Sequence, residues 1–316
     1  MNLQAGGRSG SHIVAALLAT GEHVITALTR PESTSTFPTG LKIAKVDYAD
    51  KRALTDALRG QDALVITLKN IAPPGTHDLL VEAAAAAGVP WIIPNHWSLD
   101  TTDTVDPTLT KDIRFFQGQL AQNKHIVDLG VSSYIAVSTG FWLEWSLAIP
   151  NSFGFDIKAR KATFFDDGKT KHSVSTWQLV GRAVAALLSL PIAPEEGKVG
   201  FLSEYRNKEV YVASFTVSQE DMLESLLRVT GTIREEWTID FESSKDRNAR
   251  GIAIFQGGDR SGFALHLYSR VSYPEFEVAN FEKHHALLND ILALPKENID
   301  DATRVAVERA NGNPYS

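Results

Sequence analysis

The chain has 316 residues, 43% hydrophobic and 22% charged, which is the composition of an ordinary globular protein. Its formal net charge of −7 disfavours nucleic acid as a partner, and the absence of Cys excludes disulfides, thiol nucleophiles and cysteine metal sites. No apolar run reaches the roughly 18 residues of a membrane helix, and the N-terminus lacks the order of a signal peptide, so we expect a cytoplasmic protein without membrane contact.

From Ser11 to Arg114, short β-like runs alternate with helical runs. Asp50 is the predicted N-cap of the second helix, and Gly21 and Gly60 end the first two helices. The predicted elements are helix 11–21, strand 23–30, helix 50–60, strand 62–68, helix 76–88 and strand 89–94. This alternation predicts a parallel sheet with helices on both faces.

The rhythm changes after Pro150. Before this point we predict a helical stretch at 107–130 and a strand at 132–142. After it come a hairpin over 161–176 that turns at Asp167-Gly168, and then helix 177–190. A strand and a helix follow within 209–231, the helix being capped by Ser218 and closed by Gly231, and a strand at 262–271 and two helices end the chain. We therefore predict a domain over residues 1–150, against which helix 177–190 packs, and a smaller α+β unit over 151–316.

A glycine-rich turn precedes the first helix in the stretch AGGRSG. Such a turn lets backbone N–H groups approach a dinucleotide pyrophosphate, although a plain loop is an equal alternative. Reading back from Gly10 in threes gives Gly7 and then Gln4, so Gln takes the first glycine position. Only three residues precede the turn region, which is short for a strand. The candidate cofactor residues here are Gly6, Gly7, Arg8, Ser9 and Gly10.

Arg30 lies twenty residues after Gly10, at the end of the second predicted strand. An acidic residue in this place holds the ribose 2′-hydroxyl of NAD, whereas Arg suits the 2′-phosphate of NADP. Arg30 therefore favours NADP(H), and Arg8 is a candidate second contact to the same phosphate. The alternative for Arg30 is a solvated charge at a strand end.

The stretches AGGRSG, ALTR, AGVPWIIPNHWSLD and VSTGFWLEWSL together resemble the NmrA-like and isoflavone-reductase-like atypical short-chain dehydrogenases, most closely their fungal branch. The resemblance continues through VSTWQLVGRAVAALLSLP and FTVSQEDMLESLLRVTG, and so covers nearly the whole chain. It implies a Rossmann-like doubly wound parallel sheet that binds NADP(H), a smaller α+β C-terminal substrate domain, and a cleft between the two.

The chain departs from the resembled family at its catalytic positions. Relatives of the plant type carry a catalytic Lys on the helix within 113–130, and the family spacing places Gln119 there. Gln cannot act as an acid or base at neutral pH, and Lys124 lies more than one helical turn further on. No Tyr is followed four residues later by Lys, so the usual YxxxK pair is absent as well.

Other candidate site residues follow the predicted strands, where open α/β sheets bind ligands. His96 is a candidate proton-exchanging group or a pocket-lining residue. Thr67, Asn95, Thr139 and Gly140 are candidate cofactor contacts. The candidate aromatic wall for a flat substrate consists of Trp97, Phe141, Trp142 and Trp145; core packing is the alternative for each. Glu144 is a candidate acid–base group only if it is buried, and we interpret His284-His285 as part of a surface helix, without a metal.

These observations predict an NADPH-dependent oxidoreductase that reduces an aromatic or conjugated small molecule, a reaction expected in secondary metabolism. Two alternatives stay open. The first is a regulatory protein that senses NADP(H) without turnover and reports to a protein partner. The second is an isomerase or cyclase that uses NADP(H) as a scaffold.

Overall fold

The computed structural model describes residues 2–3, 7–68 and 72–315. The elements of the first half are β1 (Asn2–Leu3), α1 (Arg8–Thr20), β2 (Thr26–Thr29), β3 (Lys42–Lys45), α2 (Lys51–Leu58), β4 (Ala63–Val65), α3 (Thr76–Ala87), β5 (Trp91–Ile93), α4 (Leu109–Asp112), α5 (Arg114–Asp128), β6 (Ser133–Ser138), β7 (Phe141–Trp142) and α6 (Leu143–Ser146). Those of the second half are β8 (Phe155–Asp156), β9 (Lys161–Phe165), β10 (His172–Ser175), α7 (Trp177–Leu188), β11 (Lys208–Tyr211), β12 (Phe215–Val217), α8 (Gln219–Thr230), β13 (Thr238–Glu242), α9 (Ser244–Gln256), α10 (Ser261–Val271), α11 (Phe281–His284) and α12 (Ile299–Asn311).

Seven strands form one parallel sheet in the order β11-β6-β5-β4-β1-β2-β3. From β1, the chain adds β2 and β3 on one side and β4, β5, β6 and β11 on the other, which is the doubly wound arrangement. The switch point of this sheet lies between β1 and β4. The predicted doubly wound parallel sheet is therefore confirmed. The short β1 pairs with β2 through Asn2 and Leu3, and Asn2 also pairs with Val65 of β4.

Successive residues of the central strands alternate between two cores. Leu64 and Ile92 face α2 and α3 on one side of the sheet, while Val65 and Ile93 face α1 and α7 on the other. All four side chains are fully buried. A third core joins the loops after β5 to the second half of the chain.

The caps of several helices agree with the sequence. Asp50 accepts a hydrogen bond from the N–H of Ala53 at 2.9 Å and so caps α2. Ser218 and Asp221 form a capping box at the start of α8, and Gly231 ends that helix in the left-handed conformation. Local chemistry thus sets these helix limits.

Helix α7 returns to the sheet and crosses α1 closely. A Cβ built on Gly181 would meet the carbonyl oxygen of His12 at 2.5 Å, so only glycine allows this approach. Strand β11 also lies outside the first 150 residues and pairs with β6 at the sheet edge. The division of the chain at residue 150 stays a prediction.

The predicted hairpin over 161–176 is wrong. Its turn exists, with Asp166 and Gly168 at positive φ, but β9 pairs with β8 and β13, whereas β10 pairs with β7 and β12. The two strands diverge into different three-stranded sheets. The single strand predicted before α8 is likewise two strands, β11 and β12, in different sheets.

The predicted strand at 262–271 is also wrong, because these residues form helix α10. Phe263, Leu265 and Leu267 alternate with other residues and imitate a strand pattern. The face that is buried follows a helical spacing instead and includes His266, Ser269 and Arg270, which hydrophobic patterning counts as exposed. None of the helices in the described part of the chain is long and apolar enough to cross a membrane.

Candidate functional site

A cavity of about 830 Å³ opens at the carboxyl edge of the parallel sheet. Its walls come from the loops after β4, β5 and β6, from α5 and α6, and from the corner between α9 and α10. Of the residues predicted for the site, those lining it are Asn95, Trp97, Gln119, Gly140, Phe141, Trp142 and Trp145. The structure thus brings together side chains from four segments at the edge where doubly wound folds bind ligands.

Gln119 and Ser98 form a polar pair in the cavity wall. Gln119 Nε2 donates to Ser98 Oγ, and Ser98 Oγ lies equally 3.3 Å from Gln119 Oε1. Bonds of this length are weak, so a ligand oxygen can replace them at little cost. Ser98 was not singled out in the sequence, although it belongs to the PNHWSLD stretch.

His96 lies behind this pair and does not line the cavity. Its Nε2 is 3.0 Å from the backbone carbonyl oxygen of Gln119, so this nitrogen carries the proton and donates to the carbonyl. Burial lowers the pKa of His96 to about 4, which keeps the ring neutral at pH 7. The position suits a support for α5 rather than a group that exchanges protons with a ligand.

Lys124 is not brought to the cavity. Its side chain is 75% exposed and pairs with Asp128 one helical turn further along α5, at 2.6 Å. The predicted catalytic role for Lys124 therefore has no support in the geometry, because Gln119 and Lys124 lie on different faces of the same helix.

Asn95 and Trp97 tie two loops together at the cavity wall. The carboxamide of Asn95 accepts from the N–H of Leu68 at 3.0 Å and donates to its carbonyl oxygen at 3.2 Å. The indole of Trp97 donates to the carbonyl oxygen of Ile66 at 2.9 Å. Asn95 was predicted to contact the cofactor, but its polar atoms already serve this tie.

The backbone at Thr139 and Gly140, which follows β6, is held by contacts within the protein. Both backbone N–H groups donate to the carbonyl oxygen of Ser98, at 2.9 and 3.0 Å. Gly140 has a φ of 65°, and a Cβ there would collide with the carbonyl of Ser173 in β10. The close approach expected at Gly140 is therefore to a neighbouring strand. Thr139 and the predicted cofactor residue Thr67 are buried and do not line the cavity.

The aromatic side chains predicted to form a wall line the cavity and also contact other side chains of the protein. Phe141 stacks on Tyr268 of α10 with ring centroids 4.0 Å apart. Trp142 lies 6.3 Å from Trp177. The ring of Trp145 is covered by the guanidinium of Arg8 at 4.1 Å. The same rings thus line the cavity and pack into the protein, and their contact with a flat substrate stays a prediction.

The start of α1 fits an anionic group. The helix begins at Arg8 after Gly7, a residue without a side chain to cap it, and its first turn contains no acidic residue. A helix N-terminus of this kind favours the pyrophosphate of a dinucleotide. Ser9 and Gly10 belong to this first turn, whereas Gly6 lies outside the described residues.

Arg8 is engaged on the cavity side of that turn. Besides covering Trp145, it donates from Nη2 to the carbonyl oxygen of Tyr315 at 2.9 Å. Its predicted contact with a 2′-phosphate beside Arg30 stays a prediction. Arg30 itself follows β2 with a side chain 62% exposed, and pairs with Glu32 at 3.2 Å. An exposed pair of this kind is weak, so Arg30 is available to a phosphate.

Glu144 of α6 is buried, as its predicted acid–base role required, but it does not line the cavity. Its Oε1 accepts from the N–H of Trp177 at 3.2 Å, while its Oε2 has no hydrogen-bond partner among the described residues. Burial raises the pKa of Glu144 to about 7. The group is a buried carboxyl near the cavity rather than in it.

The interpretation of His284-His285 as a surface pair is wrong for His285. This ring stacks on Tyr211 at 3.8 Å, and its Nε2 lies 2.9 Å from a carboxylate oxygen of Asp100. Asp100 also accepts from the hydroxyl of Tyr211 at 3.0 Å. The network fixes the loop that carries Asn95, Trp97 and Ser98 against the end of β11. Sequence spacing alone gave no sign of these distant partners.

Comparison with known proteins places this site in context. The family model described as NAD(P)H-binding matches residues 5–188. The oxidoreductase aprR of Aspergillus flavus is 27% identical over 298 residues, covering 94% of each chain. The structure resembles isoflavone reductase, with a TM-score of 0.72 at 18% identity over 96% of this chain and 97% of that one.

It also resembles an NADPH-dependent quinone oxidoreductase of Escherichia coli complexed with NADPH, with a TM-score of 0.66 at 20% identity, over 96% of this chain and 97% of that one. At these identities the structural likeness shows the fold, which is that of the isoflavone-reductase-like proteins. The sequence resemblance and the predicted nicotinamide cofactor class are confirmed. The family match spans more than half of the chain, and the protein therefore belongs to the NAD(P)H-binding, oxidoreductase-like family.

Proposed function

We propose that the protein is an NADPH-dependent reductase of ring-containing or conjugated small molecules. The observation that carries the proposal is the cavity of about 830 Å³ at the carboxyl edge of the sheet, with aromatic walls and the Gln119–Ser98 pair among its lining residues. Pockets of this size and lining suit a flat ligand together with the ring of a nicotinamide.

The residues have distinct roles in this proposal. The start of α1 holds the pyrophosphate, and Arg30, with Arg8 as a second contact, holds the 2′-phosphate. Bound NADPH supplies a hydride to an electron-poor carbon of the substrate, and water supplies the matching proton. Gln119 Nε2 and Ser98 Oγ donate hydrogen bonds to the substrate oxygen on which negative charge develops, and the aromatic walls orient the ring.

Titration calorimetry with NADPH and NADH tests the cofactor part. Arg30→Ala is expected to weaken NADPH binding about 10- to 100-fold, because a charge-assisted phosphate contact is lost, while NADH binding stays nearly unchanged. The matched control is Arg59→Ala, which removes another exposed arginine paired with a carboxylate at 3.2 Å. Equal losses for both cofactors would contradict the assignment of Arg30.

Turnover is tested by following nicotinamide absorbance with NADPH and a panel of quinones and conjugated enones. Consumption of NADPH that requires one of these acceptors supports the reductase. Tight NADPH binding without consumption across the panel contradicts it.

A second candidate is an NADP(H)-sensing protein without turnover. It is favoured by one observation: among the described residues, no Lys, His, Asp or Glu lines the cavity. Such a protein needs the cofactor site but no proton donor. It is expected to bind NADPH through Arg30 and to change its affinity for a protein partner when NADP⁺ replaces NADPH.

A further inference from the structure

We propose that Arg260 selects substrates that carry a carboxylate or similar anionic group on an otherwise apolar, ring-containing body. This inference rests on the proposed reductase function and names the class of its substrate. Arg260 lies at the corner between α9 and α10 and forms part of the cavity wall.

The surroundings of Arg260 are aromatic. Phe255 and Phe263 on the same corner, and Phe115 at the start of α5, line the cavity beside it. The ring centroids of Phe255 and Phe263 are 5.8 Å apart, and those of Phe115 and Phe263 are 6.5 Å apart. Phe115 and Phe255 remain 41% and 46% exposed, which is unusual for such large apolar rings. They provide an apolar seat for a ligand directly next to a guanidinium.

The charge of Arg260 is uncompensated in its place. Of the described residues that line the cavity, it is the one that is ionised at neutral pH, and no ion pair of its side chain is present in the part of the chain that the structure describes. The neighbouring Asp259 directs its carboxylate to the N–H of Ser261, at 2.8 Å. By contrast, Arg250 on α9 pairs with Glu242 at 2.7 Å.

A cation beside apolar rings favours a ligand that has an anionic group attached to an apolar ring. The guanidinium can bind a carboxylate through two parallel N–H donors. The phosphates of the cofactor are served at another place, by the start of α1 and by Arg30. The geometry therefore assigns Arg260 to the substrate.

The experiment compares an anionic ligand with its uncharged derivative: a benzylidene ketone bearing a ring carboxylate, and the methyl ester of the same compound, which is larger by one methyl group. Binding is measured by calorimetry on the NADPH-saturated protein, and turnover by nicotinamide absorbance. We expect the carboxylate to bind about 10- to 100-fold more tightly than the ester. In Arg260→Ala this preference disappears, chiefly because the KM of the carboxylate rises. The affinities for the ester and for NADPH are unchanged. Arg250→Ala is the matched control and is expected to retain the preference.

The outcomes separate the inference from the proposed function. Reduction of both ligands with equal KM overturns the role of Arg260 and leaves the reductase standing. Tight, Arg260-dependent binding of the carboxylate without NADPH consumption supports the ligand class and contradicts reduction of this compound type. A loss of NADPH affinity in Arg260→Ala assigns the residue to the cofactor and overturns the inference.

Discussion

Glu144 shows how one buried side chain links the cavity wall to the stability of the protein. It is 6% exposed, and its neighbour Trp145 lines the cavity while Glu144 points into the interior near Trp177. Because burial disfavours the charged form, the folded protein holds this proton up to a pKa of about 7, against an ordinary value of 4.5. The carboxylate form therefore destabilises the folded state above neutrality.

We predict that Glu144→Gln stabilises the protein at alkaline pH. The sign follows from the raised pKa: the unfolded chain loses this proton near pH 4.5 and the folded chain near pH 7, so the stability due to the neutral form is lost as pH rises between these values. At about pH 8.5 the variant should gain about 2–3 kcal/mol, and at about pH 5 less than about 1 kcal/mol. Urea unfolding at both pH values measures the difference.

The matched control is Glu195→Gln, since Glu195 is exposed and its charge costs little. It should leave the urea midpoint nearly the same at both pH values. A gain for Glu144→Gln that is equal at the two pH values would show that the charge is not its cause.

For single residues, the sequence predicted which side chains lie at the cavity better than it predicted what each side chain does there. Gln119 and the aromatic side chains were found by their order along the chain, and the structure brings them to one cavity. The sequence indicated His96 as a proton-exchanging or pocket-lining residue, because it cannot show that Nε2 of this ring donates to the carbonyl of Gln119. Tyr268 was missed, since it lies on the segment 262–271 that local pattern assigns to a strand, and Arg260 lies just before that segment.

Among the elements, the crossing of α1 and α7 places strict demands on one glycine. Helix α1 starts at the phosphate turn, and α7 packs directly against it on the same side of the sheet. At Gly181 the backbones approach so closely that a methyl group would meet the carbonyl of His12. The position of the predicted cofactor turn thus depends on a residue more than 170 positions away from it.

We predict that Gly181→Ala destabilises the protein by about 2 kcal/mol or more, because the helices must move apart to accept the methyl group. Gly118→Ala in α5 is the matched control. Gly118 is exposed and helical, and a Cβ there meets nothing within 4 Å. That change should stabilise the protein by about 0.5–1 kcal/mol, as alanine is the better helix former. Thermal unfolding of both variants tests the contrast; similar losses in both would refute the close-contact explanation.

Elements with local signals were predictable, and those defined by distant partners were not. Helix α8 carries its own caps in Ser218 and Gly231. Helix α10 carries no comparable signal, and its buried polar residues find their partners on other segments: His266 meets Asn248 at 2.6 Å. The divergence of β9 and β10 likewise depends on strands that pair with them from elsewhere in the chain.

For the molecule as a whole, the cores are shared between distant parts of the chain. The core beneath α1 also contains Val180 of α7 and Val210 of β11, and the core of the second half contains Leu99 and Phe116 from the loops and helix around the cavity. The NAD(P)H-binding character follows from sequence order, but this sharing depends on topology, which no local pattern reports. We therefore expect one cooperative unfolding transition, with tryptophan fluorescence and far-ultraviolet circular dichroism coinciding.

A buried polar link between the two halves is the ion-pair cluster of Arg270. From α10, its Nη2 reaches Asp106 and its Nε reaches Asp112, each at 2.6 Å. The side chains of Arg270 and Asp106 are 2% and 0% exposed, so both charges have left water and depend on each other. The cluster holds the segment before α5 against the wall of the cavity.

We predict that Arg270→Met destabilises the protein by about 3–5 kcal/mol, because it leaves Asp106 charged and buried without its partner. Adding Asp106→Asn should restore part of this loss, so that the double variant is more stable than the two single losses together imply. Arg228→Met removes an exposed pair with Asp300 and is the control, expected to cost under about 1 kcal/mol. Urea unfolding of the unchanged protein, Arg270→Met, Asp106→Asn and the double variant gives the coupling free energy between Arg270 and Asp106. A loss for Arg270→Met no larger than that for Arg228→Met, or the absence of any rescue by Asp106→Asn, would mean that the halves are held together by their shared apolar cores alone.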